Sequence, residues 1–207
     1  MSYSIRLIAW MSPKCASHGL PVWMPLTRKP ERSLIYKRLD DALSFLKANA
    51  PGRYERVRCT LGGFLIMGID PIHASYDPAT GVCRLRERYM LASDTTLAAI
   101  ACTIVHEATH GRLFKLGIPY DEPIRHRIEQ VCIRASLLTA QRLPGTEAEA
   151  EAERCRRQLS AISPISYSAA SFDERIANDM RANRMPEWFI RMILKIRRRK
   201  RAGRSME

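Results

Sequence analysis

The chain has 207 residues, of which 46% are hydrophobic and 27% charged. Those values suit one globular domain with a sizeable core, and they exclude a disordered or fibrous chain. The net charge of +13 is the departure: eight basic residues and no acidic one fall between Arg191 and Arg204, so the tail carries most of the excess.

Six cysteines (Cys15, Cys59, Cys83, Cys102, Cys132 and Cys155) are scattered without a Cys-x-x-Cys pair. A thiolate zinc ribbon is thereby excluded, and free thiols in a reducing compartment are expected. The opening residues show no secretory pattern, and no apolar run approaches the roughly 20 residues of a spanning helix. A cytoplasmic protein is expected, with a tail able to hold it at a membrane periphery.

In chain order, prolines at 13, 21, 25 and 30 predict an irregular N-terminal arm over residues 1–33. A helix is expected from about Leu34 to Ala48, stopped by Pro51-Gly52. Two β-rich pieces follow around Gly62-Gly63, between Arg56 and Ile69. Next comes a hairpin whose turn is Asp77 to Gly81. Ser93 or Asp94 is the expected cap of a helix running to about Leu116 and closed by Gly117. A second long helix spans about Pro123 to Arg142. Glu-rich residues 146–160 predict a polar surface helix. Ser171 to Glu174 reads as a capping box opening a further helix. The last helix begins near Pro186 and runs into the basic tail. The expected fold is α+β: a small, mainly antiparallel sheet packed on the helices, with the domain over 34–185 and an amphipathic helix and tail over 186–207.

The chemistry concentrates in "TIVHEATHGRLF", Thr103 to Phe114. Residues i and i+4 of a helix lie about 40° apart around the axis. His106 and His110 can therefore aim two imidazoles at one ion. Glu107, about 100° round from His106, lies beside the ion without being bound to it. Two neutral nitrogens that hold zinc and one free carboxylate that takes a proton from water are the parts of metal-assisted hydrolysis.

A third ligand is needed. Asp121, Glu122, His126 and Glu129 are the candidates. Asp121 and Glu122 follow His110 too soon for the chain to turn back. Glu129 lies two turns into the next helix, level with the imidazoles in an antiparallel pair, among apolar neighbours that leave its carboxylate in need of a partner. His126, one turn earlier, is the rival ligand or a donor behind the site. Tyr120 and Tyr167 are candidate donors to a transition-state oxyanion. Cys102, four residues before His106, reads as a core residue. His18 and His73 read as surface residues.

"VHEATH" (Val105 to His110) followed by "RIEQVC" (Arg127 to Cys132) resembles the zinc metallopeptidases of the gluzincin group. The resemblance covers roughly Leu97 to Leu138. It implies a zincin-like fold, a Zn2+ cofactor, His106, His110 and Glu129 as ligands, Glu107 as general base, and a protein or peptide substrate. The longer metzincin pattern is absent, with Leu113 and Leu116 at its glycine and third-histidine positions. Arg112 stands where an apolar residue is usual.

The tail supports a second reading. Trp188, Phe189, Met192, Ile193 and Ile196 form an apolar stripe beside the basic run. Such a helix can lie on an anionic membrane or track nucleic acid. The alternative function is thus a polyanion-binding protein with a structural, non-catalytic zincin-like core.

Overall fold

A computed structural model describes residues 15–25, 27–68, 72–182 and 184–204. The chain is α+β, with a five-stranded sheet and eight α-helices among the described residues. No helix among them is long and apolar enough to cross a membrane.

The first described residues form a hairpin rather than an irregular arm. Strand β1 is Cys15–Ser17 and β2 is Leu20–Trp23. His18 and Gly19 join them, both at positive φ (52° and 79°). That is the two-residue turn whose twist matches paired antiparallel strands. His18 is no loose surface residue: its ring nitrogens meet the Tyr54 hydroxyl at 2.8 Å and Ser44 Oγ at 3.1 Å. Residues 1–14 of the expected arm lie outside the described residues.

Helix α1 (Lys29–Asn49) starts earlier than expected, because Pro30 fits a first turn that needs no N–H there. Its apolar stripe is Ile35, Leu39, Ala42, Leu43 and Leu46, all buried. Pro51 opens a second helix, α2 (Pro51–Thr60), instead of ending the helical region. The first of the two expected β-rich pieces is therefore helical. Tyr54, Val57 and Thr60 recur every three residues and are buried on one stripe, while the arginines between them face outward.

Strand β3 (Gly63–Met67) is the second piece. Gly63 sits at φ +145°, and a Cβ there would lie 2.6 Å from the Pro21 carbonyl oxygen, so β2 can approach only a glycine. Strands β4 (Ala74–Asp77) and β5 (Val82–Arg86) make the expected hairpin. Its turn is closed by Gly81 N–H donating to the Asp77 carbonyl at 2.8 Å. The sheet order is β1-β2-β3-β5-β4. β2–β3 and β3–β5 are parallel, whereas β1–β2 and β4–β5 are antiparallel. The sheet is mixed, not mainly antiparallel: α1 and α2 carry the chain across between β2 and β3, and a crossover of that kind returns the strand parallel.

Short helix α3 (Glu87–Leu91) leads to α4 (Leu97–Lys115). Thr96, not Ser93 or Asp94, caps α4 by accepting the Ala99 N–H at 3.1 Å. Gly117 at φ +75° ends it as expected. Helix α5 (Arg125–Ala140) returns beside α4, and α6 (Thr146–Ala161) packs on both. α6 is not a free polar helix: Ala148, Glu151, Ala152 and Cys155 are buried, and Arg154 grips the Glu151 carboxylate with two guanidinium nitrogens. A 3₁₀ turn (Ile165–Tyr167) precedes α7 (Ala169–Ala182). α7 begins before the expected capping box; the Ser168 hydroxyl accepts the Ser171 N–H instead. Helix α8 (Glu187–Arg204) packs Ile190 and flanking residues on Ile176, Ala177 and Met180 of α7.

Candidate metal centre

Two helices build the centre. α4 runs through the core with Ala101, Cys102, Ile104 and Val105 buried, so its orientation is fixed by packing on α1, α2 and the sheet. α5 is locked to it by a reciprocal pair: Ser136 Oγ donates to the Cys102 carbonyl at 3.0 Å, and Cys102 Sγ donates to the Ser136 carbonyl at 3.6 Å. Cys102 is thus a core residue of the α4–α5 seam.

One turn further toward the α4 C-terminus, the two imidazoles emerge together. His106 Nε2 and His110 Nε2 are 3.1 Å apart. Glu129, from α5, places Oε2 3.3 Å from His106 Nε2 and Oε1 3.4 Å from His110 Nε2. Zinc bonds of about 2.0–2.1 Å in a tetrahedron separate neighbouring ligand atoms by about 3.3–3.4 Å. Each imidazole nitrogen therefore stands at ligand spacing from the other and from one oxygen of Glu129, and donors of these kinds suit zinc. Glu129 is buried. Burial works to raise its carboxyl pKa, but hydrogen bonds and charge from His106 and His110 outweigh this and hold it below the ordinary carboxylate range. His110 responds in the opposite sense: burial works to lower it, and contacts to Cys132 and Glu129 raise it well above the usual imidazole value.

Cys132 also belongs to this neighbourhood. Its Sγ lies within 4.8 Å of the imidazole nitrogens, one turn beyond Glu129 on the same face of α5. His106, His110 and Cys132 thus form one group of possible metal ligands, while Glu129 offers one oxygen to each imidazole, at 3.3 Å and 3.4 Å. Glu129 and Cys132 are both candidate third ligands, and Cys132 also hydrogen-bonds His110. The sequence signal for Cys132 is its i+3 spacing from Glu129, which puts both on one face of α5.

Glu107 is 6% exposed. Burial raises its carboxyl pKa above the ordinary 4.5, while His106 and His110 pull it down and the Tyr76 backbone hydrogen-bonds it. It faces the same cavity as the imidazoles, on the side of edge strand β4.

The remaining candidates separate. The Tyr120 hydroxyl donates to Glu129 Oε1, and its ring stands edge-on to His110 at 5.2 Å between centroids. Tyr167 lines the cavity wall, where Arg175 stacks on its ring at 5.3 Å. His126 does not line the cavity, and its Nδ1 is buried without a hydrogen-bond partner among the described residues. Asp121 and Glu122 are exposed, and Glu122 accepts the Ala169 N–H at 2.6 Å. His73 is exposed, as expected, with its ring stacked on Tyr89 at 5.2 Å.

The cavity has a volume of about 370 Å³. Its walls are mostly apolar, with Ala74 and Tyr76 of β4 on one side and Leu113, Phe114 and Ile118 on another. Phe172 and Arg175 of α7 complete the mouth. Nothing in the sequence ties α7 to the motif, because that contact depends on how the chain folds back after α6.

No family model matches the chain, and neither a curated protein nor a solved structure is significantly similar to it.

Proposed function

We propose that the chain is a zinc-dependent metallopeptidase-like hydrolase with a zincin-like core, and that His106, His110 and Glu129 hold the metal. The observation that carries this reading is the trio of separations, 3.1, 3.3 and 3.4 Å, among two imidazole nitrogens and one carboxylate. A bound zinc supplies Lewis acidity to a water and to the carbonyl under attack.

The protein's own groups supply the rest. Glu107 is free of the ligand set, buried, and held by the Tyr76 backbone, so its carboxylate can take a proton from the attacking water and return it to the leaving amine. Tyr120 fixes the Glu129 carboxylate and thereby the ligand geometry. Tyr167 also lines the cavity and offers a hydroxyl to a developing oxyanion. β4 is a sheet edge lining the same cavity, so an extended peptide can lie along it with its carbonyl toward the imidazoles. The apolar walls favour an apolar side chain next to the scissile bond.

A mixed peptide library incubated with zinc-loaded protein tests this. Cleavage that a chelator stops and zinc restores is the expected result; no cleavage of any peptide by zinc-loaded protein overturns it.

A second reading has its own observation. Trp188, Met192 and Ile196 recur every four residues along α8 and are 68%, 40% and 43% exposed, beside the basic run. Phe189 and Ile193, from the same expected stripe, pack instead on α7. The exposed half suits an anionic membrane surface or nucleic acid. This polyanion contact can coexist with hydrolysis or replace it.

A further inference from the structure

A second recess opens on another face of the site helix. α4 turns Val105, Ala108, Thr109 and Arg112 toward it, roughly 130° round the axis from the imidazoles. α2 contributes Arg53 and Arg56, and α5 contributes Arg134. The floor is apolar, made by Val57, Val105, Ala108 and Ala135. The recess measures about 270 Å³.

The charge on this recess is one-sided. Four guanidinium groups line it and no carboxylate does. Among the described residues, none of the four side chains has a hydrogen-bond or ion-pair partner; the one acidic residue of α2, Glu55, faces Arg58 at 3.7 Å. The arginines also feel one another. Burial, then Arg56, Arg142 and Arg112, lowers the Arg53 pKa. A solvated helix face ordinarily intersperses both signs, and gathered like charge destabilises the compact state. A guanidinium cluster of this kind matches the fork geometry of phosphate oxygens.

We propose that this recess binds a small phosphorylated ligand, its phosphate held by Arg53, Arg56, Arg112 and Arg134 and its apolar part resting on the floor. Three features favour a small ligand over a polymer or a membrane. The volume, about 270 Å³, falls just below the range of drug-sized pockets, about 300–1,000 Å³, and so suits only a small ligand. The arginines ring a concavity instead of forming a stripe. No aromatic side chain lines it, whereas single-stranded nucleic acid is held on aromatic platforms. The site is independent of the tail and of any hydrolytic activity. Because Arg112 lies two residues beyond His110, a ligand here touches the helix that carries both imidazoles.

Calorimetric titration of the full-length, zinc-treated protein at low salt tests the assignment. Phenyl phosphate is expected to bind several-fold more tightly than inorganic phosphate, since only it reaches the floor. Arg53→Gln with Arg134→Gln is expected to weaken binding at least tenfold, with circular dichroism unchanged and Tm no lower than that of the wild type. Arg53→Lys with Arg134→Lys, which keeps the charge, is expected to fall between. Absence of binding at millimolar phenyl phosphate overturns the proposal, as does equal binding by the Gln pair. So does binding of a single-stranded oligonucleotide or phosphatidylserine vesicles that depends on these arginines and is not displaced by phenyl phosphate.

Discussion

The Tyr120 hydroxyl donates a hydrogen bond to Glu129 Oε1, the oxygen that lies 3.4 Å from His110 Nε2. One phenol thus orients the carboxylate of the proposed third ligand. Partners of this kind behind a metal ligand are worth about 10–100-fold in affinity. Tyr120→Phe is expected to weaken zinc binding by that factor and leave the fold intact. Competition with a chelator of known affinity measures it. An unchanged zinc affinity would show that Tyr120 has no hold on the ligand geometry.

Glu107→Gln separates metal binding from catalysis. The amide keeps the shape of the side chain and cannot accept the proton. Zinc content is expected to stay at the wild-type level while the hydrolysis rate falls about 10²–10⁴-fold. Metal-free stability should move the other way. Burial raises the Glu107 carboxyl above its ordinary 4.5, so the ionised group costs the fold stability as pH rises from that value to the raised one, and the full cost persists above it. The Gln variant lacks this cost and should be no less stable than metal-free wild type at pH 7 by thermal melting.

Gly111 follows the second histidine and carries the contact between α4 and its neighbours. A Cβ there would meet Thr60 Cγ2 and Tyr76 Cε2, each at 2.8 Å. Overpacking of this sort costs about 1–3 kcal/mol. The helix-propensity gain of about 1 kcal/mol offsets part of it. Gly111→Ala is expected to lower Tm; a raised Tm would show that Tyr76 yields without penalty.

The cysteines divide by exposure. Cys15 and Cys59 are exposed, whereas Cys83, Cys102, Cys132 and Cys155 are buried. Burial also pushes the buried thiols up, Cys155 to about 11, which starves them of reactive thiolate at neutral pH. A thiol reagent is expected to modify Cys15 and Cys59 quickly in native protein and the other four only on denaturation. Rapid modification of Cys132 would mean that the imidazole pair is open to solvent from the α5 side.

The site was more legible in the sequence than the sheet. His106 and His110 are tied by helical spacing alone, and Glu129 by the depth of an antiparallel partner helix, both local quantities. The mixed sheet was not legible, because parallel pairing of β2 with β3 depends on a crossover through α1 and α2. The alternation around Val57 looked like a strand although its burial follows a helical stripe. The β1–β2 hairpin hid behind prolines, and its turn residues, His18 and Gly19, were the overlooked signal. Arg112 stands in the sequence as a departure from an apolar position; beside Arg53, Arg56 and Arg134 it becomes one side of a recess.

The central claim is that two imidazoles and the Glu129 carboxylate hold one zinc. Zinc X-ray absorption on protein purified with metal present, read together with metal content, tests it most directly. The account predicts one zinc per chain with a nitrogen and oxygen shell at about 2.0–2.2 Å and no sulfur shell at about 2.3 Å. It also predicts that the zinc is lost in His106→Ala and in Glu129→Ala. Wild-type protein without zinc, or zinc with a sulfur neighbour that survives Glu129→Ala and vanishes in Cys132→Ala, would contradict it.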